Sequence, residues 1–303
     1  MTVLTGDPHA WHLPQSGGAA VAIGVFDGVH RGHQAVLAEL ATVADGGPVV
    51  ALTFDPHPRA VVAPERAPLL LGTVEQRVEW LRAEGVSVVG VLPFDRIREW
   101  SADAFVEVVL RRALDARVVC VGVDFRFGYD RSGDATTLTS GGFDVRTLDL
   151  LGEGDGPISS TAIRRRLELG DTAGAADLIG RPHTVRGPVV RGDGRGSTVG
   201  VPTANVAPDP RVQLPANGVY TAGVQVGDRS HPAVVNVGTR PTFEGTALAV
   251  EAHLLDGEHD LYGRSVDVAF GDRLRDERRF DGVDALVAQI RVDIADARRL
   301  LGA

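Results

Sequence analysis

The chain has 303 residues, a length that favours about two domains, each large enough to bury its own core. Its 31 basic and 40 acidic residues give a net charge of −9, which argues against a general binder of nucleic acid or anionic membranes. No apolar run approaches the ~20 residues of a membrane span, and no signal peptide is visible. We therefore expect a soluble cytoplasmic protein, without nucleic-acid or membrane partners, that is a monomer or a weak homo-oligomer.

Apart from His, every basic side chain is Arg, because the sequence contains no Lys. A Walker A loop, a protein-kinase fold and Schiff-base chemistry all require Lys, so these classes are excluded. Any phosphate chemistry must then use Arg, backbone amides, His, hydroxyl groups or a metal. The single Cys120 lies in the apolar run 118–123, which indicates a buried, inert thiol.

The first half is organised around residues 23–33, which read I-G-V-F-D-G-V-H-R-G-H. The apolar run 19–23 predicts a buried parallel strand, and apolar residues at helical spacing follow within 34–44. The motif is therefore predicted to turn from a strand into a helix. In open α/β sheets, ligands bind at that edge.

The residue types in this turn suit a phosphate ester. Gly28 and Gly32 allow backbone and ligand to approach closely, and amides at a helix start bind anions. His30 and His33 are three apart, so in a helical first turn they would share one face and donate to phosphate oxygens. The pattern F-D-G before H-x-G-H resembles the nucleotidyltransferase signature. The predicted catalytic pair is His30 and His33, and the predicted nucleotide-binding residues are Gly24, Phe26, Asp27, Gly28 and Gly32.

Three alternatives exist for this stretch. The glycines do not match G-x-G-x-x-G, which disfavours a Rossmann dinucleotide site. Zinc ligation by the two histidines would need a third ligand, and no Cys lies near them. A glycine-containing turn with two surface histidines is the plain structural alternative. The preceding F-D-G and the strand-helix context make the nucleotidyl site the preferred interpretation.

Strands and helices continue to alternate, which predicts a doubly wound α/β domain. We predict further strands at 49–54, 86–92, 117–123 and 143–150, and helices that begin near Thr73 and Ser101. The strand 49–54 leads into T-F-D-P-H-P, which places His57 on the same sheet edge as His30, although D-P-H-P alone is typical of a turn.

The strand 117–123 ends in V-G-V-D-F-R-F-G. The aromatic residues around Asp124 either cover a nucleobase or ribose, or simply end a core strand in a turn. We assign Asp124 to nucleotide binding.

The stretch 158–164, I-S-S-T-A-I-R, predicts the start of a helix with hydroxyl caps. Three arginines at 164–166 would then lie in its first turns, where the helix dipole disfavours cations. Either they form a solvated face, or an anion at the helix start balances them. We favour an anion site and predict that polyphosphate is held by Ser159, Ser160, Thr161 and Arg164.

A domain boundary is predicted near Gly180, which gives domains 1–180 and 181–303. Beyond it, strands of alternating polarity replace the strand-helix pairs, at 184–190, 218–226, 233–237, 247–255 and 265–270. A long amphipathic helix closes the chain. These elements predict a small antiparallel β-barrel with a C-terminal helix.

A glycine-rich segment with two arginines leads into G-V-P-T-A-N at 200–205. Its amides suit phosphates, and its predicted phosphate-binding members are Gly192, Gly196 and Gly200. Thr203 and Asn205 carry neutral oxygens suited to Mg²⁺, although P-T-A-N alone is typical of a turn. Glu251 lies on the polar face of the strand 247–255. It is either solvated or, if that face lines the barrel mouth, the base for an attacking hydroxyl.

Nine motifs in this order resemble the bifunctional riboflavin kinase/FMN adenylyltransferases over nearly the whole chain. Besides the four of the first half, the second half has G-V-P-T-A-N at 200–205, N-G-V-Y at 217–220, N-V-G-T-R-P-T-F at 236–243, E-A-H-L-L-D at 251–256 and L-Y-G at 261–263. One departure is Gly257-Glu258-His259, where relatives often have an aromatic residue after the acid.

The resemblance implies a nucleotidyltransferase domain followed by a six-stranded flavokinase barrel. The barrel would phosphorylate riboflavin with MgATP to FMN, and the first domain would adenylylate FMN with ATP to FAD and pyrophosphate. His30 and His33 would stabilise adenylyl transfer, and Asp124 would stand where some relatives carry an amide. Thr203 and Asn205 would bind Mg²⁺, and Glu251 would be the base. The resemblance also implies a set of flavin-binding residues: His57, Phe125, Arg126, Phe127 and Tyr262. The alternatives are an adenylyltransferase whose barrel only binds flavin, and a flavin-binding module without turnover.

Overall fold

The computed structural model describes residues 2–13, 17–148, 152–153, 156–192, 200–242, 245–257 and 259–303. The chain forms two compact units. The sheet unit consists of Met1–Leu69 and Val74–Ser159, and the barrel unit consists of Leu70–Thr73 and Ser160–Ala303. Within the described ranges, no helix is both long and apolar enough to cross a bilayer.

A six-stranded parallel sheet forms the centre of the first unit and confirms the α/β prediction. Its strand order is β1-β4-β3-β2-β5-β6. The strands are β1 (Thr2–Leu4), β2 (Ala19–Ile23), β3 (Val49–Asp55), β4 (Val88–Pro93), β5 (Ala116–Gly122) and β6 (Asp144–Leu148). The edge strand β1 was not predicted, because three residues are too short to show a pattern. A two-stranded ribbon of β7 (Gly152–Glu153) and β8 (Gly156–Pro157) follows.

Apolar clusters cover both faces of this sheet, as its continuous apolar strands require. In β2, Val21 and Ile23 belong to one cluster, whereas Ala20 and Ala22 belong to the other. Cys120 is buried on the second face, and burial raises the pKa of its thiol to about 11, which confirms the inert thiol.

Helices of the sheet unit connect the parallel strands. They are α1 (Arg31–Val43), α2 (Pro58–Val62), α3 (Val74–Ala83), α4 (Phe94–Ile97), α5 (Ala102–Phe105, continued by a π-helix at Val106–Ala113) and α6 (Ala135–Ser140). Short 3₁₀ turns occur at Pro8–Ala10, Pro64–Arg66 and Tyr129–Arg131. Leu37 and Leu40 of α1 pack on one face, and Val109 and Leu110 of the π-helix pack on the other.

A closed antiparallel barrel forms the centre of the second unit, in the order β10-β13-β12-β11-β14-β9. Its strands are β9 (Thr184–Val190), β10 (Ala204–Val206), β11 (Gly218–Val226), β12 (Arg229–Thr242), β13 (Gly245–Leu254) and β14 (Ser265–Asp276). The alternation pattern predicted five of these strands. It missed β10, whose three residues pair with both β9 and β13 and close the barrel.

Three helices complete the barrel unit: α7 (Ser160–Glu168), α8 (Thr172–Ile179) and α9 (Val283–Leu301). Ile163 and Leu167 of α7 share an apolar cluster with α8. The C-terminal helix α9 packs Ala297 against Val219 and Val234 on the outer wall of the barrel. A buried ion pair between Arg275 and Asp293 (2.8 Å) fixes this helix to β14.

Candidate active sites

The predicted nucleotide turn lies at the switch point of the sheet. The central strand β2 pairs with β3 on one side and with β5 on the other, so the strand order reverses there. In open α/β sheets, such a point opens a crevice at the carboxyl ends of the strands. Residues 24–30 follow β2 at this position and lead directly into α1.

Left-handed backbone conformations shape this turn. Gly28 has φ 78°, but Phe26 (φ 52°) and Val29 (φ 40°) also adopt positive φ, which is unfavourable for side chains of their size. Phe26 and Val29 are both buried, so packing maintains the conformation. Residues in strained backbone of this kind concentrate at functional sites.

The two histidines of the motif lie together. Their rings stack with centroids 3.7 Å apart and planes 19° apart, and Phe26 contacts His33 edge-on at 5.1 Å. His30 is the N-cap of α1 in extended backbone, and His33 lies in the first turn. The stacked rings confirm that the two side chains share one face, as their spacing predicts. A Cβ on Gly32 would lie 3.2 Å from the His30 ring, so glycine permits this approach.

The environment of His33 favours a neutral imidazole. Burial lowers its pKa well below 6.5, and the nearby His30 and Arg77 lower it further. A neutral imidazole still carries one N–H group, which can donate a hydrogen bond to a phosphate oxygen. Asp27 is buried, and its charge acts on the guanidinium of Arg77.

Arg77 is a residue of this site that the sequence reasoning missed. Its side chain is only 2% exposed, and Nη1 donates to Thr53 Oγ1 and to the carbonyl of Phe54, both at 3.0 Å. Thr53 Oγ1 in turn donates to the carbonyl of Val25 at 2.8 Å. Arg77 thus connects α3 to the end of β3, which Thr53 in turn connects to the nucleotide turn. The available signal was its spacing in α3, since it shares the inner face with Val78 and Leu81.

A cavity of about 570 Å³ lies beside the turn within the sheet unit. Its lining brings together six of the predicted residues: Gly24, His57, Asp124, Phe125, Arg126 and Phe127. The rings of Phe125 and Phe127 stack with centroids 5.5 Å apart. His57 caps α2 by accepting a hydrogen bond from Arg59 N at its Nδ1 (3.0 Å). The exposed charged residues of the lining are Arg59, Arg98, Asp124, Arg126 and Arg131. Aromatic walls with charged groups beside them suit a planar ligand with a charged end.

The hydroxyl and arginine motif falls at the division between the units. Ser159 ends the sheet unit, whereas Ser160, Thr161 and Arg164 belong to α7 of the barrel unit. The helix is nine residues long, so Arg165 and Arg166 lie in its last turn, where the dipole favours cations. The argument that all three arginines need an anion was therefore wrong. Arg164 is half-buried, whereas Arg165 and Arg166 are exposed.

The barrel site is created by strand register. Glu251 of β13 lies opposite Asn205 of β10 and opposite Asn236 of β12, so three polar residues form a row across adjacent strands. Their neighbours Val250 and Ala252 belong to the barrel core. Because side chains alternate along a strand, the row lies on the face of the barrel wall opposite that core, and the role of Glu251 as the base stays a prediction.

The surroundings of Asn205 fit a cation ligand. Its Oδ1 is buried and has no hydrogen-bond partner among the described residues. Gly192 approaches so closely that a Cβ there would clash with the whole Asn205 amide. Asn205 lies in β10 and not in a turn, with Thr203 directly before the strand. Two neutral oxygens match the way Mg²⁺ is held by few protein ligands plus phosphates.

A second cavity, of about 170 Å³, lies at one end of the barrel. It brings Thr203 together with Tyr262, and its floor is formed by Ala252 and Leu254. Tyr262 is 62% exposed. Of the three predicted glycines, Gly192 and Gly200 (φ 76°) lie within the described residues, and Gly196 lies outside them.

Comparison with known proteins assigns both halves of the chain. The riboflavin kinase family matches residues 179–301, and the FAD synthetase family matches residues 13–162. A crystal structure described as a macrolide-efflux protein from Streptococcus pneumoniae superposes with a TM-score of 0.88 at 32% identity, over 98% of this chain and 99% of that one.

Two curated relatives cover nearly the full length. The bifunctional riboflavin kinase/FMN adenylyltransferase of Escherichia coli K12 is 39% identical over all of this chain and 98% of its own. That of Bacillus subtilis 168 is 31% identical over 98% of this chain and 97% of its own. These matches confirm the resemblance of the sequence motifs: the chain belongs to the family of bifunctional riboflavin kinase/FMN adenylyltransferases.

Proposed function

We propose that this chain phosphorylates riboflavin with ATP in its barrel and adenylylates the resulting FMN with a second ATP in its sheet unit. The observation that carries this proposal is the barrel register, which sets Glu251 between Asn205 and Asn236. That arrangement favours an active kinase half over an adenylyltransferase whose barrel only binds flavin. The successive family matches on the chain support both activities.

In the adenylyl step, an oxygen of the FMN phosphate attacks the α-phosphorus of ATP, and the bond to pyrophosphate breaks. His30 and His33 stabilise the negative charge that develops on the transferred group. Because burial lowers the pKa of His33, this residue acts as a neutral N–H donor. Gly28 and Gly32 leave room for the phosphates. The predicted binding of polyphosphate by Ser159, Ser160, Thr161 and Arg164 is also part of this proposal.

The cavity of the sheet unit is our candidate for the FMN site. Its volume of about 570 Å³ lies within the range of ~300–1,000 Å³ that is usual for small-molecule sites. Phe125 and Phe127 offer stacked rings to the isoalloxazine, and Arg126 and His57 offer polar contacts to the phosphate end. Asp124 would contact the nucleotide.

In the kinase step, the terminal ribityl hydroxyl of riboflavin attacks the γ-phosphorus of ATP, and ADP leaves. The Glu251 carboxylate accepts the hydroxyl proton as the new P–O bond forms. Thr203 and Asn205 would hold Mg²⁺, which neutralises phosphate charge when bound. Gly192, Gly196 and Gly200 allow the loop to approach the phosphates, and Tyr262 would contact the flavin.

The proposal includes a division into domains at 1–180 and 181–303, a cytoplasmic location, and a monomer or weak homo-oligomer. The two compact units divide at Ser159/Ser160, whereas the family matches leave residues 163–178 between them. Light scattering on the purified chain measures the oligomeric state directly.

One assay separates the proposal from its alternatives. The full chain is incubated with riboflavin, ATP and Mg²⁺, and the products are resolved by chromatography. Accumulation of FAD supports two active sites. FAD formed only when FMN is added supports the adenylyltransferase alone, and unchanged riboflavin together with unchanged FMN supports a binding module.

A further inference from the structure

The segment after β13 departs from the family motif at Gly257-Glu258-His259, and one residue of that segment contacts a histidine of β12. His259 lies three residues after Asp256, in the stretch where relatives often carry an aromatic residue. In the folded barrel, His259 lies beside His231, which comes from the start of β12. The two ring centroids are 4.3 Å apart, with planes inclined by 60°.

One carboxylate lies between these two imidazoles. His231 Nδ1 is 2.7 Å from Asp256 Oδ2, and His259 Nε2 is 3.3 Å from Asp256 Oδ1. One ligand atom from each of the three residues lies within 4.8 Å of the others. His231 is 4% exposed, so a buried imidazole anchors one side of the group while His259 and Asp256 remain accessible.

We propose that His231, Asp256 and His259 form a binding site for a divalent transition-metal ion of the Zn²⁺ type. Two imidazoles and one carboxylate make a ligand set that Zn²⁺ commonly uses, with water in the fourth position. Imidazole nitrogen also discriminates against Mg²⁺ and Ca²⁺, which prefer oxygen ligands. The site is therefore chemically distinct from the neutral oxygens of Thr203 and Asn205.

The three side chains already face one another. A carboxylate supplies an anionic oxygen ligand, and a metal ion bound at this place would replace the two hydrogen bonds that now link the imidazoles to Asp256.

A metal ion at this site would also restrain the segment that follows β13. Leu255 N donates to the carbonyl of Pro232 (2.8 Å), so the segment leaves β13 already bonded to β12. Beyond Asp256, the segment carries His259, Leu261 and Tyr262 into the wall of the barrel cavity. A metal bound to His231 and His259 would fix this segment to β12 at a second point. This inference does not depend on the proposed function.

The test is Zn²⁺ binding to the metal-free full chain, measured by competition with a chromophoric chelator in the absence of nucleotide. The background variant is His33→Ala, so that the stacked pair of the sheet unit contributes nothing. We expect one equivalent of Zn²⁺ bound, and an affinity that falls by at least about tenfold on adding His259→Gln or Asp256→Asn. Adding His12→Gln, which removes an exposed histidine of the sheet unit, is the matched control and should leave binding unchanged.

Two further readouts make the result decisive. Co²⁺ should give the visible absorption of a four-coordinate site in the background variant but not with His259→Gln. Zn²⁺ should also raise the unfolding temperature of the barrel only when His259 is present. Equal Zn²⁺ affinity with and without His259, or no binding at all, would show that the three side chains form a hydrogen-bonded network only, and would overturn the proposal.

Discussion

The sheet unit and the barrel unit position their candidate catalytic groups in different ways. In the sheet unit, the two imidazoles come from one local motif, the turn after β2 and the first residues of α1. Positive φ at Phe26 and Val29 and a close approach at Gly32 set their geometry. In the barrel unit, the polar row comes from three separate strands, and antiparallel register alone brings Asn205, Asn236 and Glu251 together.

This difference determines which structural changes would disrupt each site. A local turn depends on a few backbone conformations, and its residues stay adjacent as long as the turn is intact. A site built by register depends on every pairing of three strands, because a slip of one residue would move Glu251 to the opposite face. A change at Glu251 should therefore leave adenylyl transfer intact, and a change at His33 should leave the phosphorylation of riboflavin intact.

Replacing the carboxylate in the barrel should have the largest effect. Glu251→Gln keeps the shape of the side chain but cannot accept the ribityl proton, so we expect FMN formation to fall by about 10²- to 10⁴-fold. The measurement is the initial rate of FMN formation from riboflavin. Conversion of supplied FMN to FAD should stay at the wild-type rate, and Glu84→Gln, an exposed change, should affect neither step. Loss of both steps in a folded variant would contradict the separation of the sites.

The imidazole pair should show the converse behaviour. His33→Ala removes an N–H donor from the phosphate and also the stacking partner of His30, so we expect adenylyl transfer to fall by about 10²- to 10³-fold. Riboflavin should then accumulate as FMN at the normal rate. The check is the FAD-to-FMN ratio after incubation with riboflavin and ATP, and an unchanged ratio would remove His33 from the mechanism.

Acid should destabilise the barrel unit through the buried His183. Burial lowers the pKa of His183 from 6.5 to about 4, and its Nε2 lies 2.8 Å from the Gln213 carbonyl. Because the unfolded chain binds the proton at higher pH, stability is lost as pH falls from 6.5 towards 4, by about 2 kcal/mol between pH 7 and pH 5. Chemical denaturation at the two pH values measures this loss. His183→Gln should reduce the pH dependence by a similar amount, and an unchanged dependence would contradict the assignment.

A small steric change should test the cation ligand. In Gly192→Ala the new methyl group displaces the Asn205 amide, so we expect the kinase step to weaken by about tenfold while the fold is retained. The readout is the Mg²⁺ concentration that gives half-maximal FMN formation, which should rise. Gly282→Ala is the matched control, because a Cβ there meets open space. Equal Mg²⁺ dependence of the two variants would separate Gly192 from the cation site.

Sequence patterns predicted most of the fold because apolar residues recur at regular spacing along most strands and helices. The buried strands 19–23 and 49–54 and the barrel strands 184–190 and 218–226 agree with the structure at nearly every residue. The pattern could not reveal β10, since three residues carry no measurable period, and it therefore treated Asn205 as part of a turn.

The sites were predictable only as far as their groups are local in sequence. His30 and His33 lie within one motif, and so do Asp124 to Phe127, and the structure brings each set together. Arg77 and Asn236 were missed because their relevance depends on tertiary packing and on register, respectively. The cluster of His231, Asp256 and His259 was missed for the same reason, since 25 residues separate its first two members.

The central claim is that two separate pockets carry out two successive reactions, and mixing the two variants tests it most directly. Glu251→Gln and His33→Ala proteins are incubated with riboflavin, ATP and Mg²⁺, first alone and then together. We predict unchanged riboflavin with the first, FMN with the second, and FAD from the mixture. FAD from either variant alone at the wild-type rate, or no FAD from the mixture although each variant keeps its own step, would contradict the account.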